Sequence, residues 1–269
     1  MTTTLIAFGD LHSGSTIGIC PPVLELDDGG TYHASPGQRW LWARWQEAIE
    51  DVYKLPGEKV CIANGDICEI DSKARSHQVI TRNKATIQKI AADTLAPMVD
   101  QAKSVYVIRG TAAHTGKSAW AEEAIANDLN AVKSAHSASW WHLRLSCEGV
   151  RFDIAHHASM SGSFMSEKNA PNRLAVDALY RYRVEMDAPA PHVLLRSHNH
   201  RYADSGGNYP LFAVSLPAWT LATEFIYRIG KENTTADIGL VAFICDRGKY
   251  EYRVFRYPLE SKRLWTLKA

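Results

Sequence analysis

Short apolar runs, each ended by glycine or a polar stretch, recur along the first half of the chain. Leu5–Phe8, Lys59–Ala63 and Ser104–Ile108 have the length of buried strands. Apolar residues at helical spacing predict one helix over about Gln38–Tyr53 and a second that contains Ile80 and runs to about Ala102. This alternation of strands and helices predicts a parallel sheet with helices packed on its faces.

The second half of the chain has a different pattern. Trp140–Ser146 and Val150–Ala155 predict a β-hairpin, and a helix over about Pro171–Glu185 precedes a strand at Val193–Leu195. Further strands are predicted around Tyr209–Val214, Ile238–Cys245 and Tyr250–Tyr257, with a hairpin turn at Asp246–Gly248 and a long loop at Ser13–Gly37. With no repeat or linker, we expect one α/β domain over residues 1–269, built as two sheets flanked by helices.

Composition narrows the class of protein. A formal net charge of +1 gives no broad electrostatic surface for nucleic acid or an anionic membrane, so any polyanion contact would be local. No apolar run reaches membrane-spanning length, and Met1–Thr4 lacks the basic start of a signal peptide. The five cysteines are scattered without a Cys-x-x-Cys pair, which disfavours a thiolate zinc site and fits the reducing cytoplasm. The oligomeric state is not indicated.

Metal-capable side chains follow five of the predicted strands. Asp10 and His12 come after the first run, and strand alternation would direct both to the same side. The later strand ends supply Asp66, Thr111 with His114, His156 with His157, and His198 with His200. Because ligands of open α/β sheets gather beyond the carboxyl ends of the strands, these residues can share one rim.

The number and type of these side chains predict more than one metal ion. Oxygen and nitrogen ligands without sulfur suit divalent Mn, Fe, Zn, Co or Ni, with Mg as a further candidate. Two carboxylates and at least four imidazoles are too many for one ion. They suit two ions about 3.5–4 Å apart, an arrangement used for phosphoryl transfer.

The order of these elements resembles that of the calcineurin-like metallophosphoesterases. Between Asp10 and His200, about three quarters of the chain, the elements follow in the order Asp-x-His, Gly-Asp, a Gly-x-His-like element, a lone His and His-x-His. The resemblance implies a two-sheet α/β sandwich and a dinuclear centre, with manganese as the leading metal. It assigns Asp10, His12 and His200 to one metal, Asp66 to a bridge, and His156 and His198 to the second metal. A bridging hydroxide would then attack a phosphate ester in line.

The third element departs from the family pattern. Members usually carry Gly-Asn-His there, with Asn as a ligand and His as the general acid, whereas this chain has Gly110-Thr111-Ala112-Ala113-His114. One interpretation is that Thr111 replaces Asn as a ligand and His114 donates the proton to the leaving oxygen. The other is that His114 itself binds the second metal.

A second departure concerns the substrate. The segment that follows Gly65-Asp66 lacks the arginine of the family's protein serine/threonine phosphatases, which disfavours a phosphoprotein substrate. Glu69 in this segment either orients a ligand histidine or is an exposed loop carboxylate. The Arg-Gly-Thr-x-x-His run is similar to that of small phosphoesterases encoded by phages and prophages.

The remaining charged residues suggest secondary roles. Arg75 and His77, together with Lys73, follow the Gly-Asp loop and could bind a further phosphate or a nucleic-acid backbone, although a solvated loop is the better explanation. Arg196, beside the His-x-His element, is a candidate substrate contact. Of the adjacent pair His156 and His157 only one is expected to bind metal, and His156 fits the pattern better.

The leading hypothesis is a metal-dependent phosphatase or phosphodiesterase that hydrolyses P–O bonds. Two alternatives stay open: a nuclease acting on DNA or RNA, which net charge does not indicate, and a catalytically degenerate scaffold that keeps the fold. The sequence does not distinguish monoester from diester substrates.

Overall fold

Two β-sheets form the centre of the protein in the computed structural model, which describes residues 1–70, 77–157, 169–186, 188–228 and 236–259. The six-stranded sheet has the order β13-β12-β1-β4-β5-β6 and the five-stranded sheet the order β10-β11-β9-β8-β7. In the first sheet the strands are β1 (Thr2–Phe8), β4 (Glu58–Asn64), β5 (Ser104–Ile108), β6 (Ser139–Trp140), β12 (Ile238–Asp246) and β13 (Lys249–Tyr257). In the second they are β7 (Leu143–Cys147), β8 (Val150–His157), β9 (Val193–Ser197), β10 (Ala203–Asp204) and β11 (Phe212–Ser215).

Parallel pairing places the ends of the central strands at one edge of each sheet. β1, β4, β5 and β6 are mutually parallel, and β8, β9 and β11 are parallel in the other sheet. Strand β12 pairs antiparallel with β1, and β13 pairs antiparallel with β12. A two-residue turn at Arg247 and Gly248, both with positive φ, connects β12 to β13. The predicted α/β fold with two sheets is confirmed.

The apolar runs of the central strands are buried on both faces. Leu5 and Ala7 of β1 point toward the second sheet, whereas Ile6 and Phe8 point toward the helices. A strand between two apolar layers needs a continuous apolar run instead of alternation, which is the pattern that the sequence shows.

Helices cover both outer faces. They are α1 (Pro36–Tyr53), α2 (Lys84–Val99), α3 (Ala112–Thr115), a 3₁₀ turn (Lys117–Ala119), α4 (Trp120–Asp128), α5 (Ala170–Tyr180) continued by a π-helical turn (Arg181–Glu185), and α6 (Glu224–Arg228). Helices α1, α2 and α4 pack on the six-stranded sheet, and α5 packs on the five-stranded sheet. Within the described ranges, no helix combines the length and the apolar content needed to cross a bilayer.

Three local predictions were wrong. Trp140 pairs with Ile108 of the first sheet, so the hairpin β7–β8 begins only at Leu143. Helix α2 begins at Lys84 because the Asn83 side chain caps it, and Ile80 therefore precedes the helix. The predicted loop at Ser13–Gly37 contains a small hairpin, β2 (Val23–Glu25) with β3 (Thr31–His33).

The core beneath α1 is organised around Trp45. Its ring is fully buried and packs edge-on against Phe8 and Trp219, with ring centroids 5.3 and 4.8 Å away. Its indole N–H donates a hydrogen bond of 3.0 Å to the carbonyl of Thr94 on α2. One side chain thus joins β1, α1, α2 and the Trp219 segment.

Replacing Trp45 by alanine should lower the free energy of unfolding by about 3–5 kcal/mol, because it leaves a cavity in the core and removes the hydrogen bond to Thr94. Urea denaturation measures the change. The matched variant Trp141→Ala removes a ring that is 54% exposed and should change stability by roughly 1 kcal/mol or less. Equal losses in the two variants would contradict this account of the core.

Candidate metal centre

Tight left-handed turns position most of the predicted metal ligands. Positive φ angles occur at Asp10 (51°), His12 (46°), Asp66 (49°), His198 (73°) and His200 (54°). Residues other than glycine rarely adopt this conformation, and such strain concentrates at functional sites. The expectation that strand alternation brings Asp10 and His12 together was wrong, because β1 ends at Phe8 and both residues lie in the turns beyond it.

Asp10, His12 and His200 form the first of three overlapping groups whose ligand atoms lie within 4.8 Å of one another. The Nε2 atoms of His12 and His200 are 3.2 Å apart, and His200 Nε2 is 3.4 Å from Asp10 Oδ1. The second carboxylate oxygen of Asp10 accepts the backbone N–H of His198 at 3.0 Å, which fixes its orientation.

Asp66, His156 and His198 form the second group. His156 Nδ1 lies 2.7 Å from the carbonyl of Asn64 and can donate its proton there, so that Nε2 faces Asp66 Oδ2 at 3.1 Å. His198 Nδ1 is 4.0 Å from the same carboxylate oxygen. Gly65 has a positive φ, and its backbone passes close to the His156 ring. A Cβ at this position would lie 2.3 Å from His156 Nδ1, so the position requires glycine on both counts.

His12, Asp66 and His114 form the third group, which links the other two. Glu69 Oε2 lies 3.2 Å from His12 Nδ1 and 2.5 Å from His114 Nδ1. The Glu69 side chain is only 12% exposed, so it is not a solvated loop carboxylate. Its contacts leave the Nε2 atoms of both histidines directed away from Glu69.

Thr111 connects the two loops that follow β4 and β5. Its backbone N–H donates to Asp66 Oδ1 at 2.6 Å, and its hydroxyl oxygen is 3.2 Å from His198 Nδ1. The neighbouring Gly110 has no room for a side chain, because a Cβ would lie 2.3 Å from both the backbone nitrogen and Oδ1 of Asp66. The threonine hydroxyl therefore lies beside a ring nitrogen of His198.

Burial and opposite charges compete in setting the protonation of these groups. Burial would raise the pKa of Asp10 and Asp66, but His200 and His156 outweigh it and lower both values. Burial would lower the pKa of His156, yet Asp66 and Asp10 raise it to about 10. The predicted carboxylate ligands are consequently ionised at neutral pH.

The pair of His114 and Glu69 follows the same competition. Burial lowers the pKa of His114 and raises that of Glu69. The hydrogen bond between them has the reverse effects, since it raises the pKa of His114 and lowers that of Glu69. The net result is a raised pKa for His114 and a pKa of about 2 for Glu69. Glu69 thus carries its charge beside an imidazole that binds protons more tightly than usual.

Three buried atoms of the cluster find no hydrogen-bond partner among the described protein groups: Asp10 Oδ1, Asp66 Oδ2 and His156 Nε2. Although His156 Nε2 lies at ion-pair distance from Asp66 Oδ2, the geometry is not that of a hydrogen bond. Buried polar atoms are nearly always satisfied, and these three point at one another across the space between the groups. Such a donor set suits divalent cations.

The other predicted site residues are not brought into the cluster. Arg75 and Lys73 lie outside the described residues, and His77 is exposed at the edge of that gap. Arg196 lies on the outer face of β9, where its guanidinium binds Asp153. His157 is exposed and belongs to none of the three groups, although its Nε2 lies 3.5 Å from the Thr111 hydroxyl.

Sequence reasoning missed the contribution of Glu122. This fully buried carboxyl group on α4 accepts the backbone N–H of Gly110 at 2.5 Å and that of Ile67 at 3.3 Å. Burial, together with the nearby Asp66, raises its pKa to about 8. A buried glutamate on an amphipathic helix gives no sequence signal, because its partners are backbone groups of distant loops.

The chain matches no protein-family model and no curated protein. Among solved structures, it is similar to a Vps29 single mutant from Entamoeba histolytica, with 10% identity, a TM-score of 0.40, and coverage of 95% of this chain and 99% of that one. It is also similar to Vacuolar Protein Sorting 29 from Cryptosporidium parvum, with 11% identity, a TM-score of 0.40, and coverage of 95% and 98%.

The variant Gly110→Ala should disturb the candidate centre through its backbone. Because the added Cβ overlaps Asp66, we expect unfolding free energy to fall by about 1–3 kcal/mol and Mn²⁺ affinity to fall roughly 10–100-fold. Denaturation and calorimetric titration with Mn²⁺ measure the two effects. Gly207→Ala is the matched control, because a Cβ there meets nothing within 4 Å. Unchanged Mn²⁺ binding in Gly110→Ala would show that Asp66 is not a ligand.

Proposed function

We propose that the protein is a divalent-metal-dependent phosphoesterase acting at the cluster around Asp10 and Asp66. The observation that carries the proposal is the set of three buried, unpartnered ligand atoms at the centre of overlapping aspartate and histidine groups. A cluster that served folding alone would leave unfavourable unsatisfied atoms in the core. The resemblance of the ordered sequence elements to metallophosphoesterases supports the same reaction class.

The residues present fit two ions. Asp10, His12 and His200 would hold one, and His156 and His198 the other, with Asp66 between them because it groups with His12 on one side and with His156 and His198 on the other. Divalent ions held there would supply positive charge against the phosphoryl oxygens and activate water as the nucleophile. Manganese is the leading candidate among metals that accept oxygen and imidazole ligands.

The chain itself would supply the proton. Glu69 holds His114 through Nδ1, and in the protonated imidazole the second N–H, at Nε2, can be donated to the leaving oxygen. The Glu69 carboxylate also favours the protonated form that a general acid needs. His114 is therefore proposed as the acid and Glu69 as the residue that positions it, while Thr111 restrains Asp66 and contacts His198.

Metal content and ester hydrolysis test the proposed function together. Protein loaded with Mn²⁺ should contain about two ions per chain and should hydrolyse p-nitrophenyl phosphate or bis(p-nitrophenyl) phosphate. Asp66→Asn should lower kcat at least about 100-fold, because it removes a charged ligand that groups with His12 as well as with His156 and His198. His136→Ala, which alters an exposed histidine outside the cluster, is the control. Metallated wild-type protein without turnover on either ester, and unaffected by Asp66→Asn, would refute the proposal in favour of a scaffold.

His114→Ala separates the two interpretations of that residue. If His114 is the acid, kcat on an alkyl phosphate ester, whose leaving oxygen needs a proton, should fall roughly 10²–10⁴-fold while both ions are retained. Glu69→Gln should then give a smaller loss, about 10–100-fold, because the imidazole remains but is less well oriented. Metal analysis of each variant accompanies the kinetics. Loss of one ion in His114→Ala would instead make this histidine a ligand.

A further inference from the structure

A cleft of about 460 Å³ lies on the outer face of the five-stranded sheet, beneath α5 and its π-helical turn. Its floor consists of strand residues that face away from the core between the two sheets, among them Asp153 on β8 and Arg196 on β9. His157 lines the cleft and connects it to the candidate metal centre, because its ring centroid is 4.9 Å from that of His198. The cleft and the metal cluster are therefore neighbours.

A fixed polar network forms the floor. The Asp153 side chain is 5% exposed and accepts hydrogen bonds from Arg196 Nη2 at 2.8 Å and from the Tyr182 hydroxyl at 2.7 Å. His142 Nε2 lies 2.9 Å from the same carboxylate. The negative charge of Asp153 is thus surrounded by its own partners and is not presented to a ligand. A floor held in this way is organised in advance, which lowers the cost of binding.

The remaining charges of the cleft favour an anion. Beside the Asp153 network, the lining carries Arg144 and Arg181 against Asp177, and His157 adds a further donor. Arg144 Cζ lies 5.3 Å from the centroid of the Tyr182 ring and its Nη2 donates to Met186 Sδ at 3.4 Å, and no carboxylate within the described part of the chain pairs with it. Arg181 pairs with Asp177, but both side chains are more than half exposed, so this ion pair can open at little cost.

The size and the apolar wall indicate what accompanies the anionic group. Leu174, Ala178 and Leu194 line the side next to α5, and the volume falls within the range of small-molecule sites. We propose that the cleft binds the non-reacting arm of the phosphate-ester substrate, and that this arm carries a second phosphate on a compact body of nucleotide size. This inference rests on the proposed function of the neighbouring cluster.

Two chromogenic substrates that differ only in the second phosphate test the inference. Thymidine 5′-(p-nitrophenyl phosphate) lacks it, and the corresponding 3′-phosphorylated ester carries it. The wild-type protein should prefer the 3′-phosphorylated ester in kcat/KM, and Arg144→Gln should reduce this preference about tenfold, since a charge-assisted hydrogen bond is lost. Arg183→Gln, on the π-helical turn that borders the cleft but not among the residues that line it, should retain the preference.

A binding measurement on metal-free protein provides a second readout. Thymidine 3′,5′-bisphosphate should bind about tenfold more weakly to Arg144→Gln than to wild type, while Arg183→Gln binds as wild type does. A thymidine tetranucleotide distinguishes the source of the second phosphate. Arg144-dependent binding of the tetranucleotide points to a nucleic-acid strand, and Arg144-dependent binding of the bisphosphate alone points to a free nucleotide.

The outcomes separate the two proposals. Hydrolysis of both esters without preference, together with binding that ignores Arg144, would overturn the cleft assignment and leave the phosphoesterase proposal intact. Arg144-dependent binding in a metallated protein that hydrolyses no ester would overturn the phosphoesterase proposal, and with it the assignment of the cleft to a substrate.

Discussion

The hydrogen bond from the Thr111 backbone to Asp66 is the interaction on which the candidate site depends. It joins the loops after β4 and β5, and the carbonyl of Asp66 in turn accepts the backbone N–H of His12 from the loop after β1. A carboxylate held at one oxygen leaves the other directed at His156 and His198, which come from the opposite sheet. The two sheets therefore meet at this carboxylate and at Asp10, which accepts the backbone N–H of His198 from the second sheet.

The sequence indicated the fold and the members of the site better than it indicated the geometry. Continuous apolar runs identified the central strands, since burial between two layers leaves no room for alternation. The pairing of Trp140 with β5 could not be predicted, because a two-residue strand has no periodicity to detect. The left-handed turns at Asp10 and Asp66 were equally hidden, because these residues are held in strained conformations by hydrogen bonds between loops.

Partners that are distant in sequence account for the rest of what could not be foreseen. Glu69 was open to two interpretations because its loop position says nothing of the two histidines that it contacts. Arg196 was interpreted from its proximity to His198 along the chain, yet successive strand residues face opposite sides of a sheet. Its guanidinium is therefore turned toward Asp153, away from the cluster. Near-neutral net charge likewise concealed the arginines gathered in the cleft, because a sum over the chain carries no spatial information.

Glu122 shows why a buried carboxyl group can lie behind an already acidic site. The backbone N–H groups of Gly110 and Ile67 lie at the ends of the two loops that carry Thr111 and Asp66, where no strand continues to pair them. An unpaired N–H in the core costs a substantial part of the stability of a domain, and an aliphatic residue on α4 would leave two of them. The carboxyl group satisfies both from one side chain. Its raised pKa favours the neutral form at neutral pH, so that it accepts these hydrogen bonds without adding a full negative charge next to Asp66. Glu122 therefore pairs the backbone N–H groups of the two loops, and Asp66 remains the charged carboxylate that faces the histidines.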